Sequence, residues 1–217
     1  PSVKATLAGI RRMKGTAQRR VRALVKDDLL ALLLGVGQQG TMRAARDRAL
    51  LLVGFAGAFR RSELVALTVA DLNPCSGGIE VNIKRSKTDQ EGKGRTVFLP
   101  AARGSQCPVA ALNDWLAQTG IAEGPIFRSV GKSGLVGAKG LSAQSVGLVV
   151  KDAVRRVSGD KAAASVAGHS LRSGFCTEAA AAGLMPWQIR AQTGHTTDAM
   201  LARYIRPAQN RAIPSLL

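Results

Sequence analysis

The segment that decides the fold is TMRAARDRALLLVGFAGAFRRSELVAL, residues 41–67. Its Thr41 can cap a helix that continues through a run of Leu and Val to about Ala58. A second, short helix fits residues 62–67, so the two helices meet near Arg60. Glu63 follows Arg60 by three residues, a spacing at which a carboxylate can orient a guanidinium. The segment therefore predicts a helical framework that holds an arginine at a helix junction.

The stretches that follow predict a β-hairpin and further helices. Apolar and polar residues alternate strictly over residues 79–83. A polar stretch rich in Lys and Gly follows, and then residues 96–99, closed by Pro100. This order indicates a β-hairpin with a long basic tip. Helices are expected in five more places: after Pro108, from Ser142 to about Val157, and over residues 170–182, 186–192 and 197–205. Arg206-Pro207 is expected to break the last of these helices. The predicted fold class is mainly α with a small antiparallel β-sheet.

Basic residues strongly outnumber acidic residues in the chain. Lys and Arg total 31 against 14 Asp and Glu, and the resulting net charge of +17 predicts a polyanionic partner. The excess is densest in residues 1–26, which hold eight basic residues and no acidic one. We interpret this segment as a basic arm or linker, the alternative being a solvated tail. Its candidate phosphate contacts are Arg11, Arg12, Arg19 and Arg20.

Composition and motifs exclude several classes of protein. The longest relevant apolar run, residues 49–59, is well short of the roughly 20 residues that a membrane span requires. Three widely spaced cysteines without a C-x-x-C pair argue against a disulfide scaffold or a zinc ribbon, and suit free thiols in a reducing compartment. Residues 35–40 match G-x-G-x-x-G but follow a helical pattern, so we interpret them as a helix-ending loop. No signal peptide is visible at the N-terminus.

The side chains able to do chemistry are scarce. The chain holds two histidines, His169 and His195, and one tyrosine, Tyr204. Taken alone, each has an ordinary explanation, since a tyrosine at helical spacing from apolar residues is usually part of the core. The stretch His169-Ser-Leu-Arg172, however, places an imidazole and a guanidinium on one helix face, while His195 and Tyr204 can reach one cleft from neighbouring helices. With Arg60, this set suits a phosphodiester.

In order and spacing, these residues resemble the catalytic boxes of the tyrosine recombinase (phage integrase) family. The resemblance covers about residues 27–205 and rests on five features: Arg60-Arg-Ser-Glu63-Leu, a lysine-bearing hairpin, His169-Ser-Leu-Arg172, Gly194-His195 and Tyr204. It implies the tyrosine recombinase catalytic-domain fold for residues 27–208. It also implies a site-specific recombinase or integrase that cuts and rejoins double-stranded DNA through a 3′-phosphotyrosyl link. Family members usually carry a core-binding domain ahead of the catalytic one, of which residues 1–26 can be only the linker.

The residues themselves suggest part of the mechanism. Two guanidiniums and imidazole donors can neutralise the charge of a phosphodiester transition state, so no metal ion, other cofactor or ATP is expected. A phenol, with its pKa of about 10, needs a proton acceptor to become a nucleophile, and His169 is the candidate base for Tyr204. The resemblance assigns the general acid to a hairpin lysine. Lys84, Lys87 and Lys93 are available there, and Lys87 aligns best.

Other functions stay open at this point. A type IB topoisomerase shares the same chemistry, a non-catalytic DNA-binding module could keep the fold, and a nuclease built on three carboxylates is a weaker alternative. The complete set argues against a mere binder: Arg60, Lys87, His169, Arg172, His195 and Tyr204, with Glu63 in support.

The resemblance extends to assembly. It implies a tetramer on two DNA sites, a monomer being possible without DNA. We expect the tail, residues 209–217, to dock on a neighbour on DNA or on its own protomer when the protein is alone, the alternative being a frayed end. Lys84 and Arg85 are candidate contacts to the DNA backbone. We expect a cytoplasmic, nucleoid-associated protein, with a mobile element as one of its possible settings.

Overall fold

The structure is a computed structural model that describes residues 3–14, 21–37, 40–84 and 94–209. Within these ranges the helices are, in chain order, α1 (Val3–Lys14), α2 (Lys26–Gly37), α3 (Met42–Ala56), α4 (Arg61–Ala66), α5 (Pro108–Thr119), α6 (Ala143–Ser165), α7 (Ser170–Ala181), α8 (Pro186–Thr193) and α9 (Asp198–Gln209). The strands are β1 (Leu72–Cys75), β2 (Gly78–Ile83), β3 (Arg95–Pro100), β4 (Arg128–Val130) and β5 (Val136–Gly140). None of the described helices combines the length and the apolar character needed to cross a membrane.

Helix α3 is the centre of the main core. Thr41 caps it as predicted, because its side-chain oxygen accepts a hydrogen bond of 3.2 Å from the backbone N–H of Ala44. Residues 50–53 are buried, since α2, α5 and α7 all pack against α3. Trp115 of α5 is also buried there, and its indole N–H donates to the carbonyl of Ile126 over 2.8 Å. The two-helix framework predicted from residues 41–67 is confirmed.

The predicted β-hairpin is present as β2 and β3 of a three-stranded antiparallel sheet with the order β1-β2-β3. Alternate residues of β2 are buried, as the alternation in the sequence predicted. Ile83 pairs with Arg95, so Arg95 lies at the end of the sheet next to the hairpin tip. The tip, residues 85–93, lies outside the described residues, and so do the predicted site residues Arg85 and Lys87.

The described residues contain two sheets where the sequence predicted one. Strands β4 and β5 form a separate antiparallel pair, and β1 adds a third strand to the hairpin sheet. These strands lacked a recognisable pattern: β1 is short, exposed and interrupted by Pro74, while β5 is short and rich in glycine. The predicted class, mainly helical with small antiparallel β structure, is confirmed.

Two helix ends differ from the predictions. Helix α6 was predicted to end near Val157 but continues to Ser165 across a break at Gly159, whose φ of 77° is non-helical. The prediction that Arg206-Pro207 breaks the last helix is wrong, because α9 continues through Pro207 to Gln209. A proline has a φ suited to a helix and forfeits one backbone hydrogen bond. The bond lost here is the one that residue 207 would donate to the carbonyl of residue 203, and α9 extends two residues beyond the proline.

The stretch just ahead of α2 belongs to the packed body. Leu24 is fully buried in the main core. Its backbone N–H donates to the carbonyl of Ser170 over 3.0 Å, and that of Arg22 donates to the carbonyl of Ser165 over 2.8 Å. Residues 21–25 therefore pack with the domain, ahead of the boundary that the sequence predicted at residue 27.

The predicted basic arm contains a helix, α1. Its Arg12 is exposed, which is compatible with the predicted phosphate contact. The side chain of Arg11, and the whole of Arg19 and Arg20, lie outside the described part of the chain.

Gly174 of α7 lies directly against the backbone of Leu24. A Cβ at position 174 would overlap the carbonyl oxygen of Leu24, and this backbone cannot yield as a flexible side chain does. We expect Gly174→Ala to lower the free energy of unfolding by about 1–3 kcal/mol or more, measured from urea unfolding. Gly147→Ala on α6 is the matched control, because its Cβ would meet only an ordinary contact at 3.6 Å. Equal unfolding midpoints for the two variants would contradict the packing.

Candidate active site

Arg60 is held at the start of α4 by the carboxylate that the sequence spacing singled out. Its guanidinium Nη1 lies 2.6 Å from Glu63 Oε1, and its backbone N–H donates to Glu63 Oε2 over 2.9 Å. Its Nη2 donates to the carbonyl of Gly194 over 3.1 Å. The Glu63 carboxylate is almost completely buried, so its charge is available to neighbouring cations and little screened by water. Arg60 is therefore fixed between α4 and the turn that follows α8.

Arg172 is a buried guanidinium with unused hydrogen-bonding capacity. The residue is only 1% exposed, and its Nη1 donates to the carbonyl of Ala58 over 2.7 Å. Its Nη2 has no hydrogen-bond partner among the described residues. Burial, followed by the nearby charge of Arg60, lowers the pKa of Arg172 to about 10. A buried donor without a partner is costly, and an anion is the group that would satisfy it.

Ala58, which supplies that carbonyl, has an unusual backbone conformation. Its φ of 48° is the only left-handed value among the described non-glycine residues. Such a conformation costs free energy and persists only where the surrounding structure enforces it. It occurs here in the turn between α3 and α4, where the carbonyl meets Arg172.

Tyr204 and His169 are in direct contact. The phenolic oxygen of Tyr204, on α9, lies 2.6 Å from Nε2 of His169, which precedes α7. Desolvation of the imidazole lowers the pKa of His169, and the charges of Arg172, Arg60 and Arg61 lower it further. A neutral imidazole with its proton on Nδ1 can accept the phenolic proton at Nε2, so the geometry suits proton transfer.

His195 lies on the other side of Tyr204 and is oriented by Thr193. The two aromatic rings stack with centroids 5.5 Å apart. Thr193 Oγ1 donates to the carbonyl of Ile189 over 2.7 Å and lies 2.9 Å from His195 Nδ1. Because the hydroxyl has a single proton, both bonds form when Nδ1 of His195 carries its own proton. Burial and the charges of Arg172 and Arg60 lower the pKa of His195 to about 3.

The tyrosine helix is attached through a small cluster that is separate from the main core. Cys176, Ala179, Ile189 and Leu201 form this satellite cluster, and Tyr204 packs against it. Packing in an apolar cluster, the ordinary role of a tyrosine at helical spacing, therefore explains the position of its ring. It does not account for the hydroxyl, which bonds to His169.

The phage integrase family model matches residues 22–211 of the chain. The chain belongs to this family. An integrase/recombinase xerD homolog of Selenomonas ruminantium is 39% identical over 204 residues, which is 94% of this chain and 59% of that protein. This integrase-family chain thus spans less than two thirds of the length of that relative.

Solved structures show that the fold of the integrase-family chain is that of tyrosine recombinase catalytic domains, as predicted. The XerH recombinase in its post-cleavage complex with difH matches with a TM-score of 0.69 and 18% identity, covering 88% of this chain and 51% of that one. The XerA recombinase matches with a TM-score of 0.66 and 19% identity, covering 91% and 65%. A lambda integrase dimer bound to a COC′ core site gives 0.60 and 16%, covering 93% and 52%.

Lys84, a predicted contact to the DNA backbone, forms an ion pair in this integrase-family chain. Lys84 is described, is 70% exposed in its side chain, and has its ammonium 2.6 Å from the carboxylate of Asp71. Within the described ranges, no group of three or more His, Cys, Asp or Glu residues could hold a metal ion. The three cysteines are free thiols in the structure.

Arg95 and Thr193 are site residues that no pattern in the sequence singled out. Arg95 bonds to Glu63 and to the carbonyl of Gln192, and Thr193 orients His195. Thr193 lies two residues before His195, and this spacing is a signal that could have indicated it. Arg95 has no such local signal.

Two histidines with lowered pKa values give a direct spectroscopic prediction. We expect the His195 resonances to show no titration midpoint down to a pH of about 3, and those of His169 to titrate below 6.5. Both imidazoles take up protons more readily in the unfolded chain, so each contributes stability that is lost as the pH falls below about 6.5. The measurement is a pH series of NMR spectra with labelled histidine. His195→Gln assigns the signals, and a His195 midpoint near 6.5 would contradict the electrostatics.

Proposed function

We propose that the chain is the catalytic part of a site-specific DNA recombinase that cuts and rejoins double-stranded DNA through Tyr204. The observation that carries the proposal is the bond between Tyr204 and His169 beside Arg172, a buried guanidinium with a free donor. A nucleophile, a proton acceptor and an unsatisfied anion-binding group therefore occupy one site. A non-catalytic DNA-binding module would need none of this arrangement.

In the first step, His169 accepts the proton of Tyr204. Its lowered pKa keeps the imidazole neutral near pH 7, and its Nε2 already faces the phenolic oxygen at 2.6 Å. The surrounding arginine charges favour a phenolate. The phenolate oxygen attacks phosphorus, a P–O bond to the tyrosine forms, and the bond to the 5′-oxygen breaks. The 3′-phosphotyrosyl link retains the bond energy, so resealing by a 5′-hydroxyl needs no ATP.

Arg172 and Arg60 stabilise the transition state of this step. Negative charge accumulates on the non-bridging oxygens, and preorganised cationic donors in a desolvated site lower its energy. The Nη2 of Arg172 is free to donate, and the carboxylate of Glu63 holds Arg60 in place. These side chains can supply the charge stabilisation without a metal ion.

The departing 5′-oxygen needs a proton, and we propose that Lys87 supplies it. Lys84 is the lysine that the structure describes in this region, and its ammonium is engaged by Asp71 at the base of the hairpin. The candidates beyond that base are Lys87 and Lys93, and Lys87 is the one that the family resemblance favours.

Double-stranded DNA is the proposed substrate. The net charge of +17 suits a polyanion. XerH was solved with difH, lambda integrase with a core site and the Tn1549 integrase with a circular intermediate DNA. By analogy we propose a tetramer on two DNA sites, with the tail that begins at residue 209 docking on a neighbouring protomer. Residues 210–217 of that tail lie outside the described residues.

Tyr204→Phe is expected to abolish covalent protein–DNA adducts, because the nucleophilic hydroxyl is lost while the ring and its packing remain. The measurement uses candidate attachment-site DNA with a nick beside the scissile bond, so that the released strand diffuses away and the adduct accumulates. Denaturing gels detect the adduct, and a mobility shift checks that the variant still binds. Because Tyr204 is the only tyrosine, a phosphotyrosyl peptide must map to it. Adducts formed by Tyr204→Phe would overturn the assignment.

A substrate with sulfur in place of the bridging 5′-oxygen tests the general acid, because a thiolate leaves without a proton. We expect Lys87→Ala to cleave ordinary DNA slowly and the sulfur-substituted DNA at nearly the wild-type rate. Lys84→Ala and Lys93→Ala are the matched controls. Selective rescue of either control, or of none of the three variants, would show that the proton comes from another group.

A further inference from the structure

Arg95, the first residue of β3, makes long-range contacts to two separate parts of the site. Its Nη2 lies 2.9 Å from Oε2 of Glu63, and its Nη1 donates to the carbonyl of Gln192 over 3.0 Å. The side chain is 17% exposed, so these contacts lie largely away from water. Neither contact is local, since Glu63 is 32 residues away and Gln192 is 97 residues away along the chain.

The first contact makes Glu63 a shared carboxylate. Its Oε1 pairs with Arg60, and its Oε2 accepts from both the Arg60 backbone and Arg95. Two guanidiniums therefore lie on one buried carboxylate, each limiting the directions in which the other can move. If the Arg95 side chain were removed, Oε2 would lose its charged partner and the carboxylate could rotate. Arg60 would keep its own bonds to Glu63 and to the Gly194 carbonyl, but its position would be less tightly fixed.

The second contact reaches the turn that carries His195. Gln192 is in the last turn of α8, and Gly194 ends that helix in a left-handed conformation with φ of 66°. A Cβ on Gly194 would lie 2.6 Å from Nε of Arg95, so the guanidinium packs directly on this turn. Arg60 donates to the carbonyl of the same Gly194. The turn before His195 is thus held by two guanidiniums that share one carboxylate.

We propose that Arg95 is a positioning residue for DNA cleavage, holding Arg60 and the His195 turn in a fixed relation at the base of the hairpin. This proposal rests on the proposed function. Arg95 acts through Glu63 and through α8. Its loss should leave α8 docked, because the side-chain amide of Gln192 separately donates to the carbonyls of Ala56 and Phe98 over 2.8 and 2.9 Å. A loss of cleavage then reports geometry and not unfolding.

The experiment uses Arg95→Ala in the full chain, with guanidinium ion added at low, non-denaturing concentration. The vacated space between Glu63 and the Gln192 carbonyl should bind this ion. We expect DNA binding within a few-fold of wild type and a single-turnover cleavage rate lower by roughly 100-fold, the scale of a catalytic group displaced by about 1 Å. Guanidinium should restore cleavage several-fold, whereas urea, its neutral analogue, and sodium chloride at equal concentration should not.

Arg46→Ala is the matched control, because Arg46 is also buried and also bonds to a carboxylate and a carbonyl, those of Asp47 and Arg128. Its cleavage rate should stay near that of wild type and show no response to guanidinium. An Arg95→Ala rate equal to wild type, a rate unaffected by guanidinium, or an equal loss in Arg46→Ala would overturn the proposal. Thermal unfolding of both variants checks that each is folded at the assay temperature.

A second readout separates this proposal from the proposed function. The NMR signals of His195 should shift in Arg95→Ala and return towards their wild-type positions with guanidinium, whether or not the chain cuts DNA. Unchanged His195 signals would overturn the positioning role. Failure of the wild-type protein to form any adduct would instead overturn the proposed function, while the histidine signals would still decide the role of Arg95.

Discussion

The arrangement of the site depends on the buried carboxylate of Glu63. Arg60, Arg95 and Arg172 lie close enough that their charges lower the pKa of His195. Like charges at such distances repel, and burial adds a desolvation cost to each of them. Glu63 offsets this repulsion for two of the three, because each of its oxygens accepts from a guanidinium. Without this anion, the cations that suit a phosphate would separate.

The third guanidinium is stabilised in a different way. Arg172 has the carbonyl of Ala58 as its hydrogen-bond acceptor, and that carbonyl belongs to a residue in a strained left-handed conformation. The pocket thus combines a carboxylate shared by two guanidiniums, a strained turn and two buried donors, Arg172 Nη2 and Arg95 Nε, that have no hydrogen-bond partner among the described residues. An anion in this pocket would satisfy the free donor of Arg172 and offset part of the positive charge.

The features that sequence could predict are those with a local signature. The capping of α3 by Thr41, the pairing of Arg60 with Glu63 and the alternation in β2 are all set by residues within a few positions of one another. The contacts of Arg95 and the carbonyl of Ala58 depend on distant segments brought together by the core, and no periodicity marks them. The prediction for Pro207 is wrong because the rule about proline gives a tendency to end a helix, and α9 continues two residues beyond it.

The separation of the satellite cluster from the main core has an energetic consequence. Among the residues whose side chains the structure describes, its buried members are Cys176, Ala179, Ile189 and Leu201. The arginine-bearing elements are anchored to the large core around α3. A region with few buried apolar contacts opens at a lower free energy than the domain as a whole. Local opening of α9 would therefore separate Tyr204 from His169 while Arg60, Arg95 and Arg172 keep their places. Such a division would let the set of arginines persist through local opening events that interrupt the contact between Tyr204 and His169.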